Sequence, residues 1–375
     1  MHVAFVHKKA HSGGGAERVV QASARALRQR GVRCVLYYDL SAPFEPAFAE
    51  SFDAAFPLVE AERQLGDADV IYVHQLWGGV SMDALMSSGR PVFRFLHDHS
   101  LFCARVHKYR SWDLATCRTV TGPRCIPCAP VHRTDDGVQL LPWHRLRRDQ
   151  RAHRPATLVV ASRYLARHAA AHGFEKIAQV PLFVDEVEPS EAERDPHRIV
   201  FAGALLRSKG LDVLLEAMTR AETPFSLDVY GAGRQEGWLR SEADRLGVSD
   251  RVHFVGHVSD LREAYSSAGV VVLPSRTPET FGLTGADALA HGAAVVTTAV
   301  GGVGEWAIPG RTALTVPPNE PDALAQALDR FAEAPALRER LGRQGRLLVR
   351  ERFTMDRHLE ALLALFRSAS REVAA

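Results

Sequence analysis

The apolar run Gly269-Val-Val-Val-Leu273, halted by Pro274, constrains this chain more than any other stretch. Unbroken hydrophobicity without polar alternation is the pattern of a strand covered on both faces, and such strands belong to parallel sheets flanked by helices. A polar loop follows, and then Ala286, Leu289 and Ala290 recur at helical spacing, with Gly292 as a C-terminal stop. Strand, loop and helix start, in that order, are where open α/β sheets bind ligands. Glu279 falls in the loop and Phe281-Gly282-Leu283 at the helix start. Asp287 lies about one and a half turns into the helix. Free backbone N–H groups at a helix start, beside a glycine that admits close approach, suit a phosphate. Carboxylates on either side suit hydroxyl groups, so a ligand that satisfies both is a sugar joined to a nucleotide through phosphates. Taken alone, the stretch equally fits a solvated loop leading into an ordinary helix.

The same strand-and-helix alternation extends along the chain. Val3–Val6, Arg33–Tyr38, Asp69–Val73, Pro91–Leu96 and Thr157–Ala161 read as buried strands, with helical patterns between them such as Arg18 to Arg30. A second series begins at Ile199 and continues through Leu227–Tyr230, Arg251–Gly256 and Ala293–Thr298. With 375 residues, two domains are expected. Between them Val184 to Pro196 is acidic, polar and flanked by prolines, as an interdomain linker would be. The net charge of +2 offers no whole-protein argument for nucleic acid. The opening residues do not resemble a signal peptide and no apolar stretch is long enough to span a bilayer, so a cytoplasmic protein is expected.

Four loops after strands stand where ligands bind. Gly13, Gly14 and Gly15 open a helix after the first strand. His97 follows the Pro91–Leu96 strand. In Gly203-Ala-Leu-Leu-Arg-Ser-Lys-Gly210, Arg207 and Lys209 stand between a strand and a helix, where two cations would stabilise a departing diphosphate. Gly231 and Gly233 end the next strand in a G-x-G turn.

Glu279-Thr-Phe-Gly-Leu followed by Asp287 resembles the E-x-F-G-x-x-x-x-E signature of retaining, family-4-type GT-B glycosyltransferases, with Asp in place of the second Glu. Gly14-Gly-Ala-Glu-Arg-Val-Val20 resembles the family's GGAERVV segment, Gly203 to Gly210 its G-R-L-x-x-x-K-G with Ala204 in place of Arg, and Gly301-Gly-Val-Gly-Glu305 its G-G-x-P-E. The resemblance covers nearly the whole chain, is strongest from about Ile199 to Pro318 and fades between Cys103 and Pro155.

It implies an α/β, GT-B fold of two Rossmann-like domains facing across a central cleft. The first would take residues 1–184, with a cysteine-containing insert at about 100–130 and a closing helix at 355–375; the linker would take 185–197 and the nucleotide-sugar domain 198–354. His97, Glu279, Arg207 and Lys209 would be catalytic. Gly14, Gly15, Gly203, Gly231, Gly233, Phe281, Gly282, Leu283 and Asp287 would bind the donor, a nucleotide-diphosphate sugar. The acceptor would be a hydroxyl of a glycan, lipid-linked glycan or small molecule, with no catalytic metal. A GT-B epimerase and an inactive sugar-nucleotide-binding protein are the alternatives.

Two features lie outside that pattern. Cys103, Cys117, Cys125 and Cys128 share one segment, and only Cys125-Ile-Pro-Cys128 has metal-knuckle spacing. The options are a structural zinc, an iron–sulfur cluster, disulfides or unpaired thiols. The basic run Trp143 to Arg154 is either a solvated helix face or, through Arg145, Arg147, Arg148 and Arg151, a contact for an acceptor phosphate or the inner face of a membrane.

Overall fold

The structure, a computed structural model, describes the chain except residues 60–64, 66, 77–79, 111, 135–136, 189–192 and 375, with backbone alone at 132–134, 137–139 and 371–374. It divides into two compact units. The first comprises Met1–Val106, Thr119–Phe183 and Met355–Ala375, and the second His107–Arg118 and Val184–Thr354. The segment expected as one insert at about 100–130 is therefore split, its middle grouping with the second unit.

The first unit is built on a seven-stranded sheet. In chain order its strands are β1 (His2–Val6), β2 (Arg33–Tyr38), β3 (Ala54–Pro57), β4 (Val70–Val73), β5 (Val92–Phe95), β8 (Thr157–Val160) and β9 (Ile177–Gln179). Between β5 and β8 lies a separate antiparallel pair, β6 (Val131–Thr134) and β7 (Gly137–Leu140). The sheet order is β3-β2-β1-β4-β5-β8-β9, and all its pairs are parallel. The helix Met355–Ala374 belongs to this unit. Its Leu359, Leu362, Leu363 and Phe366 recur at i, i+3, i+4 and i+7 and are buried. The Phe366 ring packs 5.2 Å from Tyr72 and 5.0 Å from Phe93, so this closing helix is held by aromatic contacts to β4 and β5.

The second unit repeats the plan with six strands: β10 (Asp195–Ala202), β11 (Ser226–Tyr230), β12 (Val252–Gly256), β13 (Ala268–Leu273), β14 (Ala294–Thr298) and β15 (Leu314–Val316). Their order is β12-β11-β10-β13-β14-β15, all parallel. Every residue of β13 is buried, and each of its valines stabilises by roughly 1.5–3 kcal/mol relative to exposure. Strand β10 starts at Asp195, inside the stretch expected as linker, and pairs Asp195 with Ala268 before a register shift. Residues 189–192 of the expected linker lie outside the described residues.

In both sheets the strand order reverses at one place, between β1 and β4 and between β10 and β13. The loops leaving the carboxyl ends of such strands diverge to opposite faces and leave a ligand crevice. Glu279 and Lys209 are on the loops after β13 and β10; His74 and Gly14 are on those after β4 and β1. Among the described residues no helix is long and apolar enough to cross a membrane.

Candidate active site

In the second unit the chemistry gathers at this reversal point. The chain leaves β10 through Gly203 and makes a short 3-10 turn, Arg207–Lys209, ended by Gly210. Gly210 adopts φ 72°, and a Cβ there would lie 2.0 Å from the carbonyl oxygen of Pro274, so the turn and the β13 loop meet backbone to backbone. That approach puts Nζ of Lys209 2.8 Å from Oε1 of Glu279. Ser275 donates its hydroxyl to the same oxygen at 2.6 Å, and Gly302 donates its backbone N–H to the Glu279 carbonyl at 2.6 Å. Lys209 and Glu279 are partly exposed, so the pair is accessible while Lys209 and Ser275 hold the carboxylate and Gly302 holds its backbone.

Arg276 locks this geometry. Its guanidinium is buried and forked on Asp212, Nη1 at 2.6 Å and Nη2 at 2.7 Å. Nη1 also donates to the Arg207 carbonyl at 2.7 Å, Nε donates to Oδ1 of Asn319, and the Arg276 backbone N–H donates to the Ser208 carbonyl at 2.8 Å. A forked, charge-assisted pair fixes orientation as well as distance. The turn carrying Lys209 is thus fastened to the loop carrying Glu279.

The helix Leu283–Ala290 begins at Gly282, which caps it at φ 82°. The Phe281 side chain is buried, 5.1 Å from the Phe353 ring, and its carbonyl accepts the indole N–H of Trp306 at 2.7 Å. What this helix start offers a ligand is its first amides, which have no intrahelical acceptor. Asp287, one turn on, is partly buried.

The structure separates some residues that the sequence grouped. The Arg207 guanidinium is exposed, 5.9 Å over the Trp238 ring, so Lys209 alone of the two cations meets Glu279. Gly231 and Gly233 are glycine for a local reason: a Cβ would lie 2.0 Å from the Gly203 carbonyl oxygen at one and 2.5 Å from the Leu205 carbonyl oxygen at the other. They let the β11 loop close on the β10 loop, joined by the bonds Gly203 N–H to Tyr230 and Leu205 N–H to Ala232.

The first unit carries its own polar cluster at the equivalent edge. Nε2 of His97 lies 2.8 Å from Nδ1 of His74, the two rings stacked at 29°. Burial, followed by the neighbouring His7 and Arg94, pushes His97 down to about 3. Burial and the other basic groups drive His74 well below its ordinary value. Both rings are therefore neutral at pH 7, one donating to the other. Glu17, in the first turn of the helix Gly15–Gln29, lies 3.7 Å from His7 and 3.6 Å from Lys9. Burial would raise its carboxyl, but the nearby His7 ring, a backbone hydrogen bond and the charge of Lys9 outweigh this and hold it at about 2. At Gly14, the residue before that helix, an added Cβ would lie 2.7 Å from Oε2 of Glu17, so that carboxylate would have to shift.

Cys103, Cys125 and Cys128 belong to the first unit and Cys117 to the second, and no group of three or more His, Cys, Asp or Glu is gathered for a metal among the described residues. Cys128 instead accepts a hydrogen bond from Arg105 at 3.5 Å. Cys34 is a buried thiol in β2 that burial pushes up to about 12.

Sequence reasoning passed over Ser275, Arg276, Asp212, His74 and Trp306. Ser275 and Arg276 stand inside the singled-out loop and were findable by position. Asp212 was findable only as an acid in a first helical turn.

The family described as Glycosyl transferases group 1 matches residues 184–348. Among curated proteins, D-inositol 3-phosphate glycosyltransferase of Streptomyces griseus is 37% identical over 174 residues, 45% of this chain and 35% of that protein. Glycogen synthase of Mycobacterium tuberculosis is 32% identical over 166 residues, 43% of this chain and 39% of that protein. The matched stretch spans less than half the length of these relatives. Among solved structures, Anabaena Alr3699/HepE in complex with UDP superposes with a TM-score of 0.76 at 16% identity, over 98% of this chain and 100% of that one. Its complex with UDP-glucose gives 0.74 at 17%, over 97% and 99%. That likeness, with the two parallel sheets, shows the GT-B fold.

Proposed function

Since residues 184–348 match the family described as Glycosyl transferases group 1, we propose that the chain transfers a sugar from a nucleotide-diphosphate sugar to an acceptor hydroxyl with retention of configuration. The observation that carries this reading is the ion pair of Lys209 and Glu279 at the reversal point of the second sheet. A lysine there supplies positive charge where a diphosphate departs. A carboxylate beside it accepts hydrogen bonds from sugar hydroxyls and favours positive charge growing on the anomeric carbon. The amides of the Leu283 helix start would hold the diphosphate, and Asp287 the ribose hydroxyls. The second unit would bind the donor and the first the acceptor.

Front-face substitution follows from these groups. The bond between the anomeric carbon and the phosphate oxygen breaks, the leaving oxygen takes the acceptor's proton, and the acceptor oxygen bonds to the face just vacated. His97, neutral at pH 7, would orient the sugar by hydrogen bonding without repelling the cation-like carbon. The structural likeness to a protein solved with UDP and UDP-glucose makes a UDP-sugar the first donor to test.

The test is the thermal midpoint of the protein against UDP-, GDP-, dTDP- and ADP-sugars. A donor at one hundred times its dissociation constant stabilises the folded state by about 2.7 kcal/mol. We expect a rise with one base class, followed by nucleotide release only when an acceptor is present. No shift with any of the four refutes the reading; turnover of donor without acceptor replaces it with an epimerase.

A further inference from the structure

The first unit holds a cavity of about 570 Å³ that none of the chemistry above uses. One wall is the helix Trp143–His153, which presents Trp143, Arg147 and Arg151 at four-residue intervals, with Arg154 beyond its end. The opposite wall is Ala171 and His172, where the helix Arg163–Ala171 ends. That helix starts at the carboxyl end of β8 and returns toward the start of β9, so its C-terminus lies at the amino edge of a parallel sheet. His97 and Gly14 follow the carboxyl ends of strands in the same sheet, so the cavity is a separate place.

We propose that this cavity binds a phosphate group carried by a larger molecule. Among the described residues three guanidinium groups line it and no carboxylate does. The nearby Asp149 is 3.9 Å from Arg145, which is not a wall residue. Arg147 and Arg151, one turn apart, repel each other on the helix surface, and an anion between them removes that cost. Trp143 is also a wall residue, and its buried indole N–H has no hydrogen-bond partner. An orphaned buried donor is costly and is satisfied by a bound acceptor.

Gln150, Thr121 and His172 in the walls are already committed. Gln150 donates to the Leu101 carbonyl at 2.9 Å and to the Thr121 hydroxyl at 3.2 Å. His172 accepts the Thr121 backbone N–H on Nε2 at 3.2 Å, so its Nδ1–H points to the His168 carbonyl at 2.8 Å and the ring is the neutral tautomer. Arginine is permanently charged and matches phosphate oxygens in a fork. The volume exceeds what a lone ion needs and falls in the range of small-molecule sites. The stacked Trp143 and His144 rings, 3.5 Å between centroids, offer a face for the remainder of the ligand.

The phosphate could be that of a soluble sugar phosphate or of a lipid headgroup, and two arms of one experiment separate them. Titration calorimetry with glucose 6-phosphate, inorganic phosphate and glucose forms the first arm. Co-sedimentation with phosphatidylcholine vesicles, with and without phosphatidic acid, forms the second. We expect saturable binding in at least one arm, absent for glucose and for pure phosphatidylcholine. The double variant R147Q/R151Q should weaken it by about 10- to 100-fold. The double variant R145Q/R148Q removes the same charge from the same helix outside the cavity and should change it less than about threefold. Binding confined to the vesicle arm assigns the lipid source, and binding of glucose 6-phosphate the soluble one. Equal losses in the two double variants reduce the effect to diffuse surface charge and overturn the proposal, as does absence of binding in both arms. Donor binding in the second unit is measured separately, so failure of one reading leaves the other standing.

Discussion

At the scale of single residues, the Lys209–Glu279 pair decides what the second unit can do. Each partner alone would be a solvated charge on a loop; together, with Ser275 on the same carboxylate oxygen, they form one unit. Removing a preorganised charged donor of this kind costs roughly 10²–10³ in rate. Lys209→Ala and Glu279→Gln should each lower kcat/KM by that factor with the fold retained by circular dichroism. Because the groups touch, the double variant should lose much less than the product of the two. Steady-state kinetics of the four proteins completes the cycle. Multiplicative losses would mean that the residues act independently and that the contact has no part in catalysis.

At the scale of elements, the site is a meeting of two loops, and the glycine that permits the meeting is the sensitive point. Gly210→Ala would place a Cβ 2.0 Å from the Pro274 carbonyl oxygen on a backbone at φ 72°. The turn must then move away from β13 and carry Lys209 off Glu279. We expect loss of activity comparable to Lys209→Ala and a lowered melting temperature. Gly304→Ala, where an added Cβ meets nothing within 4 Å, should alter neither. If the two substitutions behave alike in melting and kinetics, the close approach is not what positions the lysine.

These loops also mark what the sequence could and could not disclose. Apolar runs such as Gly269–Leu273 appear as strands within a residue of their expected ends, because total burial leaves one reading of the pattern. The first half of β10 was invisible, since Asp195 to Arg198 alternate between exposed and partly buried and carry no apolar signature. Lys209 and Glu279 were legible through local motifs. The clamp of Arg276 on Asp212 was not, because its partners are 64 positions apart and nothing local couples them. The grouping of Cys117 with the second unit and of Cys103, Cys125 and Cys128 with the first was likewise not legible, because nearness in sequence does not fix which unit a loop joins.

At the scale of the whole molecule, buried neutral histidines tie folding to pH. Burial holds His358 at about 4, with its Nδ1–H on the Pro181 carbonyl and its Nε2 on the Ser23 hydroxyl. His153, also buried, sits at about 4 through burial and then the charge of Arg94. Both belong to the first unit. A histidine whose folded value is depressed binds its proton more readily when unfolded. Its stabilising contribution is therefore present above the unfolded value, about 6.5, and is lost as pH falls toward the folded one. Each of these two rings should cost the folded state about 3 kcal/mol across that window. Glu17, held at about 2, adds to the loss only below its own unfolded value of 4.5. Between pH 6.5 and pH 4.5 the histidines thus set the slope. Denaturant unfolding at steps through this range should show stability falling steadily with acidification. His358→Asn, which keeps a donor for the Pro181 carbonyl but cannot titrate, should be less stable at pH 7.5 and have a shallower slope than the parent. An unchanged slope in that variant would place the acid sensitivity elsewhere in the molecule.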